Sequence, residues 1–484
     1  MNFKTISRNI GYALLVSALF MLLSIFVSMA NGNDSALAAL IISFTITFIV
    51  GIFPFIFVRK TSRISLKEGY VIIVLSWVLS FIFGMLPYAL WGGPFTLQNA
   101  WFESVSGFTT SGATILDNIE ALPDSLLFWR SSTHFIGGLG VVVFLLLIIP
   151  DSSPIRMRLT NMELSSLSKD TYNVRTNKTV FVFAYVYLAI AVSSFLCYWA
   201  AGMTAFDAIN HAFSVCATGG FSTKNLSIAS FDSRLIEGIT MFFMFIGSLH
   251  FGLLFMTVAN KSFRPLNNPV LKFYLLILIL AVASMTMSLK MNGVEASWGD
   301  SIWTSMFHVL STSSTTGFAI ADNSSWPMQT SIIILMAGVM CGCAGSTTGA
   351  IKADRILVLF KSIGRQVNKV LHPSAINEVR LGTHALKEED VNSQLIYIAL
   401  YCIILILSVF ISLSLGVDTQ NSFAASVASM GNLGPALGDL GTLGSYNSIP
   451  GGAKFLYTVD MFLGRIEIYP VLAILAMVFS HKKK

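Results

Sequence analysis

A chain of 484 residues with 54% hydrophobic side chains, 11% charged ones and a mean hydropathy of +0.73 lies outside the soluble globular class and inside that of polytopic membrane proteins. Its net charge of +6 comes without a basic patch interleaved with aromatics, so it speaks for membrane orientation and anionic lipid rather than nucleic acid. The five cysteines (Cys197, Cys216, Cys341, Cys343 and Cys402) have neither zinc nor redox spacing and read as small buried residues.

A membrane-crossing helix needs about 20 mostly apolar residues. In chain order such segments start near Ile10, Ala36, Gly69, Leu126, Val180, Leu235, Val270, Gln329, Gln394 and Phe455, ten candidate spans of which the eighth is interrupted. The first, Ile10 to Ala30, exceeds the roughly 7–15 apolar residues of a secretory signal and is followed at once by another span, so it reads as a retained helix. With Lys4 and Arg8 in the cytoplasm, ten spans return the terminal "HKKK" there and place 24 of the 30 Lys and Arg on that side. The inner loops then include "RKTSR" (59–63), the stretch from Arg156 to Lys178, and seven basic residues between Lys352 and Lys387.

Four related stretches stand between apolar segments: "GFTTSGAT" (107–114), "CATGGFST" (216–223), "SSTTGFAI" (313–320) and "MGNLGPAL" (430–437). Aligned on Gly112, Gly219, Gly317 and Gly434 they recur at intervals of 107, 98 and 117 residues, a period suited to a repeated membrane module. Each follows an apolar span (69–91, 180–201, 270–289, 394–416) and then a semi-polar segment of about ten residues. These segments open on Asn99, Asp207, Asp300 and Asn421, as helix N-caps do. Too short to cross, they are expected to enter the membrane and turn back. Non-helical backbone at that depth is tolerated only when buried in protein or lining a water-filled cavity. Four such turns therefore suggest a ring about one axis, with carbonyl and hydroxyl oxygens inward and helix C-termini adding partial negative charge that favours cations.

Span, short helix, glycine turn, span, four times from about residue 69 onward, resembles the Trk/Ktr/HKT superfamily of potassium transporters. "FESVSGFTTSGAT", "ATGGFST", "STTGFA" and "GNLGP" are similar to its four pore loops, and "HFIGGLGVVV" (134–143) and "GRIEI" (464–468) fit as well. Two extra spans before residue 69 look like the Trk-type (TrkH-like) membrane subunit rather than the eight-span Ktr type. Ser111 departs from the pattern, a third Thr being commoner there.

The resemblance implies an all-α polytopic fold. Two N-terminal helices (1–68) precede four pseudo-symmetric modules (69–177, 178–268, 269–393 and 394–484) around a central pore. It implies K+ as the transported ion, coordinated mainly by the backbone carbonyls of four triplets. These are Thr110, Ser111 and Gly112; Ala217, Thr218 and Gly219; Thr315, Thr316 and Gly317; and Asn432, Leu433 and Gly434. Gly112 argues for potassium, since serine stands there in plant relatives that prefer sodium. An intramembrane gate is implied at Gly342, Cys343, Ala344, Gly345, Ser346, Thr347, Thr348 and Gly349, with Arg465 as a pore arginine. Implied partners are a second copy of the chain in the bacterial inner membrane and a cytoplasmic, TrkA-like nucleotide-binding subunit docking on loops 59–67, 156–178 and 352–387. Sodium-dependent symport of the Ktr kind is the alternative within the family. An alternating-access carrier is disfavoured because all four modules share one topological sense.

Apart from the resemblance, "GCAGSTTGA" (342–350) has three glycines and three hydroxylated residues in nine positions, a poor helix. It reads as an unwound loop or as a glycine-rich helix packed closely on a neighbour. Arg465 is costly inside a span, and reads as an electrostatic barrier or as a salt-bridge partner of Asp460 or Glu467, the latter disfavoured by its i+2 spacing. Glu103 either adds negative potential near the mouth or hydrogen-bonds the adjacent turn; His211 and His308 read as packing or bonding partners. Segment 352–393 is too short for a nucleotide-binding domain, and Walker, kinase and protease signatures are missing, so a transporter is expected rather than an enzyme.

Overall fold

Asn2 caps the first helix by accepting the Lys4 and Thr5 N–H groups, and α1 (Phe3–Ala30) is followed by α2 (Leu37–Phe57), which packs along it. The two approach closely because Gly11 and Gly51 meet: a Cβ on Gly11 would stand 2.6 Å from the Gly51 carbonyl oxygen. This and all that follows is drawn from a computed structural model, which describes residues 1–58, 64–148, 176–374, 378–382 and 384–481. The expected docking residues at 59–63, 156–175, 375–377 and 383 lie outside the described residues.

Four modules follow. The first comprises α3 (Leu66–Gly84), started by a Ser65/Glu68 capping box, α4 (Leu86–Trp91), α5 (Leu97–Phe108) and α6 (Asp124–Ile148). The second has α7 (Thr176–Ala200), α8 (Ala205–Cys216), α9 (Arg234–Ser248) and α10 (Phe251–Ala259). The third has α11 (Pro269–Met291), α12 (Trp298–Ser313), α13 (Met328–Val339) and α14 (Ala353–Leu371). The fourth has α15 (Glu388–Ser414), α16 (Thr419–Gly431), α17 (Gly451–Ile466) and α18 (Ile468–His481).

Each module thus carries one short, largely buried helix: α5, α8, α12 and α16, of 12, 12, 16 and 13 residues. At 1.5 Å per residue they run about 18–24 Å, short of the roughly 30 Å of a bilayer core. Their starts differ from expectation. Thr96, Thr204, Ser297 and Asp418 are the N-caps, and their side chains accept the N–H groups of Asn99, Asp207, Asp300 and Asn421. The residues read as caps therefore sit three positions inside the helices, where an acidic side chain still complements the helix dipole.

The second helices depart further from expectation. Among the described residues six helical stretches are long and apolar enough to cross a membrane, from α1, α2, α3–α4, α7, α11 and α15. The spans expected near Leu235 and Phe455 are both broken, like the eighth. Helices α9 and α10 meet at a 101° bend, and α17 gives way to α18 at Glu467, a non-glycine residue with φ +62°. In the third module, β1 (Met340–Cys341) and β2 (Ile351–Lys352) pair in parallel and close the neck of loop 342–350. That segment is the unwound loop, not a close-packed helix.

Candidate functional site: four interlocked turns above a loop

All four short helices end the same way. In α5 the Ser111 N–H reaches back to the Ser106 carbonyl at 2.9 Å and the Thr110 N–H to Gly107 at 3.1 Å. The same pair of bonds runs from Gly219 to Ser214 and Thr218 to Val215, from Thr316 to Ser311 and Thr315 to Thr312, and from Leu433 to Ala428 and Asn432 to Ser429. This is the Schellman pattern, which satisfies the last carbonyls and requires a left-handed residue at its centre. That residue is Thr110, Thr218, Thr315 or Asn432, with φ of 54–55°. Asparagine tolerates this conformation, but a β-branched threonine there is strained. Strain recurring at three equivalent positions makes these turns the candidate functional site.

A second left-handed residue follows two positions later, at Gly112, Gly220, Gly317 and Gly434, with φ of 77–82°. The register of the second repeat is therefore one residue later than the sequence alignment: Gly220, not Gly219, is the counterpart of Gly112. Ala217 corresponds to Thr109 as the helix C-cap, and the second triplet is Thr218, Gly219 and Gly220. The signal that would have set this register is the six-residue step from a helical serine to the glycine, shared by Ser106–Gly112, Ser214–Gly220 and Ser311–Gly317. Two of those serines bond across the turn, Ser106 Oγ to the Ala113 carbonyl and Ser311 Oγ to the Phe318 carbonyl, both at 2.6 Å.

The four turns interlock in a closed cycle. A Cβ on Gly112 would come within 3.0 Å of the Gly219 carbonyl oxygen, one on Gly220 of Thr316 O, one on Gly317 of Leu433 O, and one on Gly434 of Ser111 O. No side chain fits there, so each glycine admits the middle carbonyl of the next repeat. All four glycines line one open recess. The glycines are neither scattered nor on the outer surface.

Loop 342–350 touches the second, third and fourth modules. Thr347 Oγ1 donates toward the Cys216 and Gly247 carbonyls, both at 3.3 Å, and the Gly349 N–H donates to Thr315 Oγ1 at 3.2 Å. Gly349 has no room for a Cβ beside the Gly431 carbonyl and Asn432. Arg465 Nη1 donates to the Thr347 carbonyl at 2.6 Å and Nη2 to the Gly137 carbonyl of α6 at 3.1 Å, so the arginine ties the loop to the first module. Both of these donors end on carbonyls and not on the expected carboxylates: Asp460 accepts from Ser408, and Glu467 from Arg355 at 2.8 Å.

The remaining loop residues hold the shape. Ala344 N–H bonds Asp354 Oδ1, Ser346 Oγ bonds the Cys343 carbonyl and meets Thr348 Oγ1, and the Gly342 carbonyl accepts from Ala353. The bend between α9 and α10 serves the same loop: the freed Ser248 carbonyl accepts from Cys343 N–H at 2.9 Å, and Phe251 N–H donates to the Gly345 carbonyl at 3.0 Å. Two breaks in helical backbone thus satisfy one another, as buried irregular backbone must. Nothing in the local sequence "SLHF" announced this.

Of the other predicted residues, Glu103 bonds the first turn, donated to by Thr114 Oγ1 and Ile115 N–H. His211 accepts from Ser222 Oγ through Nε2 at 2.9 Å while its Nδ1 donates to the Asp207 carbonyl, and His308 packs edge-on against Trp326. Cys216, Cys341 and Cys343 are buried as expected, but Cys197 and Cys402 are exposed on apolar helices.

A family described as "TrkH: Cation transport protein" matches residues 37–483. The chain belongs to the TrkH family. Full-length relatives agree: it is 32% identical over 483 residues to the Trk system potassium uptake protein TrkH of Escherichia coli strain K12, and 31% to that of Salmonella typhimurium, covering 99% of each chain in both cases. It is 30% identical to the Escherichia coli protein TrkG over 98% of each chain. The crystal structure of the potassium transporter TrkH from Vibrio parahaemolyticus superposes with a TM-score of 0.88 over 98% of this chain and 99% of that one, at 29% identity. Membership in the TrkH family makes this chain a multi-pass membrane transporter and not an enzyme.

Proposed function

We propose that this chain takes up potassium through a pore whose selectivity filter is the ring of four interlocked turns and whose gate is loop 342–350. The filter oxygens are the carbonyls of Thr110–Gly112, Thr218–Gly220, Thr315–Gly317 and Asn432–Gly434. The observation that carries the reading is the cycle of glycines, each admitting the next repeat's carbonyl, which packs backbone oxygens of all four modules about one recess. Such oxygens replace the hydration shell of a cation, and the helix C-termini behind them add partial negative charge. The relatives are named as potassium uptake proteins of the Trk system, which supports potassium as the cargo. A membrane potential supplies about 2.3 kcal/mol per charge per 100 mV for uptake.

Loop 342–350, wedged beneath three of the turns and tied to Arg465, blocks the path in this conformation, and the guanidinium adds an electrostatic barrier. Opening requires the loop to leave Thr315, Cys216 and Gly247 together. The N- and C-termini lie in the cytoplasm, where a separate nucleotide-binding subunit acts on the gate through α14. A second copy of the chain covers the apolar stripe of Phe360, Ile363 and Val367 that α14 exposes.

Proteoliposome uptake of potassium, rubidium and sodium tests the proposal, with Gly112→Ser as the reference variant. Wild type is expected to favour potassium and rubidium, and Gly112→Ser, whose side chain has no room beside the Gly219 carbonyl, to lose that preference. Equal uptake of sodium and potassium by wild type overturns the selectivity claim.

A further inference from the structure

Arg130, left outside the basic cytoplasmic set, is 2% exposed, and a buried guanidinium must be paired. From α6 its Nε reaches Glu103 Oε1 of α5 at 2.6 Å. Glu103 in turn accepts the Thr114 hydroxyl at 3.0 Å and the Ile115 N–H at 3.1 Å, immediately beyond the first filter turn. On its other side Arg130 Nη1 donates to the Ser222 carbonyl at 3.2 Å, two residues beyond Gly220, and the guanidinium carbon lies 3.4 Å from the centroid of the Phe221 ring. His134, one helical turn along α6, stacks on the same ring at 4.0 Å and 13°. Two planar groups at these distances cannot share a face, so Phe221 is clamped between Arg130 and His134.

One ion pair therefore joins the strands leaving the first two filter turns. The neighbouring joints at this level carry hydrogen bonds but no ion pair among the described residues: Ala229 N–H to the Ala319 carbonyl, Thr442 N–H to Asn323 Oδ1, and Tyr446 N–H to the Thr114 carbonyl, with Asp117 accepting from Ser445 and Asn447. Arg130 also lines the recess onto which the four filter glycines open, so its charge faces arriving cations unless Glu103 cancels it.

We infer that Arg130 is a positioning residue for ion selection: with Glu103 and Phe221 it sets the separation of the first two filter turns, and the Glu103 carboxylate keeps the mouth neutral. This rests on the filter reading above. Discrimination against a smaller ion requires oxygens that cannot close onto it, and a charge-assisted tie resists that closure better than neutral bonds.

The test is uptake of potassium and of sodium in proteoliposomes by wild type, Arg130→Gln, Arg130→Lys, Glu103→Gln, Phe221→Leu and the double variant E103Q/R130Q, each checked for monodispersity and melting temperature. Arg130→Gln is expected to lower the potassium-to-sodium ratio by about tenfold or more, the factor one charge-assisted hydrogen bond commands. Glu103→Gln, which strands a positive charge at the mouth, is expected to lower uptake of every cation as well as the ratio. The double variant recovers uptake relative to Glu103→Gln while the ratio stays low, separating charge from position. Arg130→Lys keeps the charge but loses the fork, so uptake stays near wild type and the ratio falls. Phe221→Leu loosens the clamp without touching charge and also lowers the ratio. Wild-type ratios in the folded fraction of these variants, however unstable they are, mean a merely structural role and overturn the inference. A wild type that takes up both ions equally fails the filter reading instead.

Discussion

Replacing Arg465 with alanine removes two charge-assisted hydrogen bonds, to the Thr347 carbonyl at 2.6 Å and the Gly137 carbonyl at 3.1 Å. Such bonds are worth about 1.5–3 kcal/mol each, and the side chain is only half-buried, so the lower end applies and the pair contributes about 3 kcal/mol. If both bonds exist only while the loop is seated, the seated-to-open ratio falls by a factor of about 150. A loop open about 1% of the time would then be open about 60% of the time. The assay is rubidium uptake into proteoliposomes under a fixed membrane potential, comparing wild type, Arg465→Ala and Arg465→Lys at equal amounts of folded protein. Arg465→Ala is expected to raise uptake by tens of fold. The lysine variant separates two contributions: it keeps the positive charge but offers one ammonium in place of a two-armed fork. If the tie to Thr347 matters, Arg465→Lys rises toward the alanine variant; if charge alone holds cations back, it stays at wild type. Unchanged uptake in both variants refutes the reasoning, since the loop would then be neither held nor guarded by Arg465.

Two further outcomes are expected. Gly220→Ala forces a side chain into left-handed backbone, costing about 1–2 kcal/mol before its clash with the Thr316 carbonyl, and should abolish selective uptake. A Gly220→Ala channel with wild-type potassium preference would return the second-repeat register to Gly219. Glu467→Gln leaves the Arg355 guanidinium, 4% exposed, without its carboxylate, and should destabilise the protein by about 3 kcal/mol, read as a lowered melting temperature in detergent. An unshifted melting temperature would show that Gln394 and the Tyr397 ring suffice to hold Arg355.

Composition and periodicity alone determined the membrane class and the positions of the short helices, because each is written in contiguous residues. Apolar runs, N-terminal cap residues and glycine turns are local signals, and three of the four turn registers were legible from them. That of the second repeat slipped by one residue because "ATGGFST" offers two adjacent glycines, and only backbone dihedrals separate them. Arg465 and loop 342–350 stood out as costs, a charge and a poor helix inside a membrane. What answers those costs lies more than a hundred residues away in sequence, at Thr347 for the arginine and at Cys216 for the loop. The tertiary structure alone decided such matches: the bend at Ser248–His250 that feeds the loop, the break at Glu467, and the partner of Arg130. Each is a polar group or freed carbonyl made tolerable by a distant one, and buried polar groups choose partners by position in space, which one-dimensional spacing does not encode.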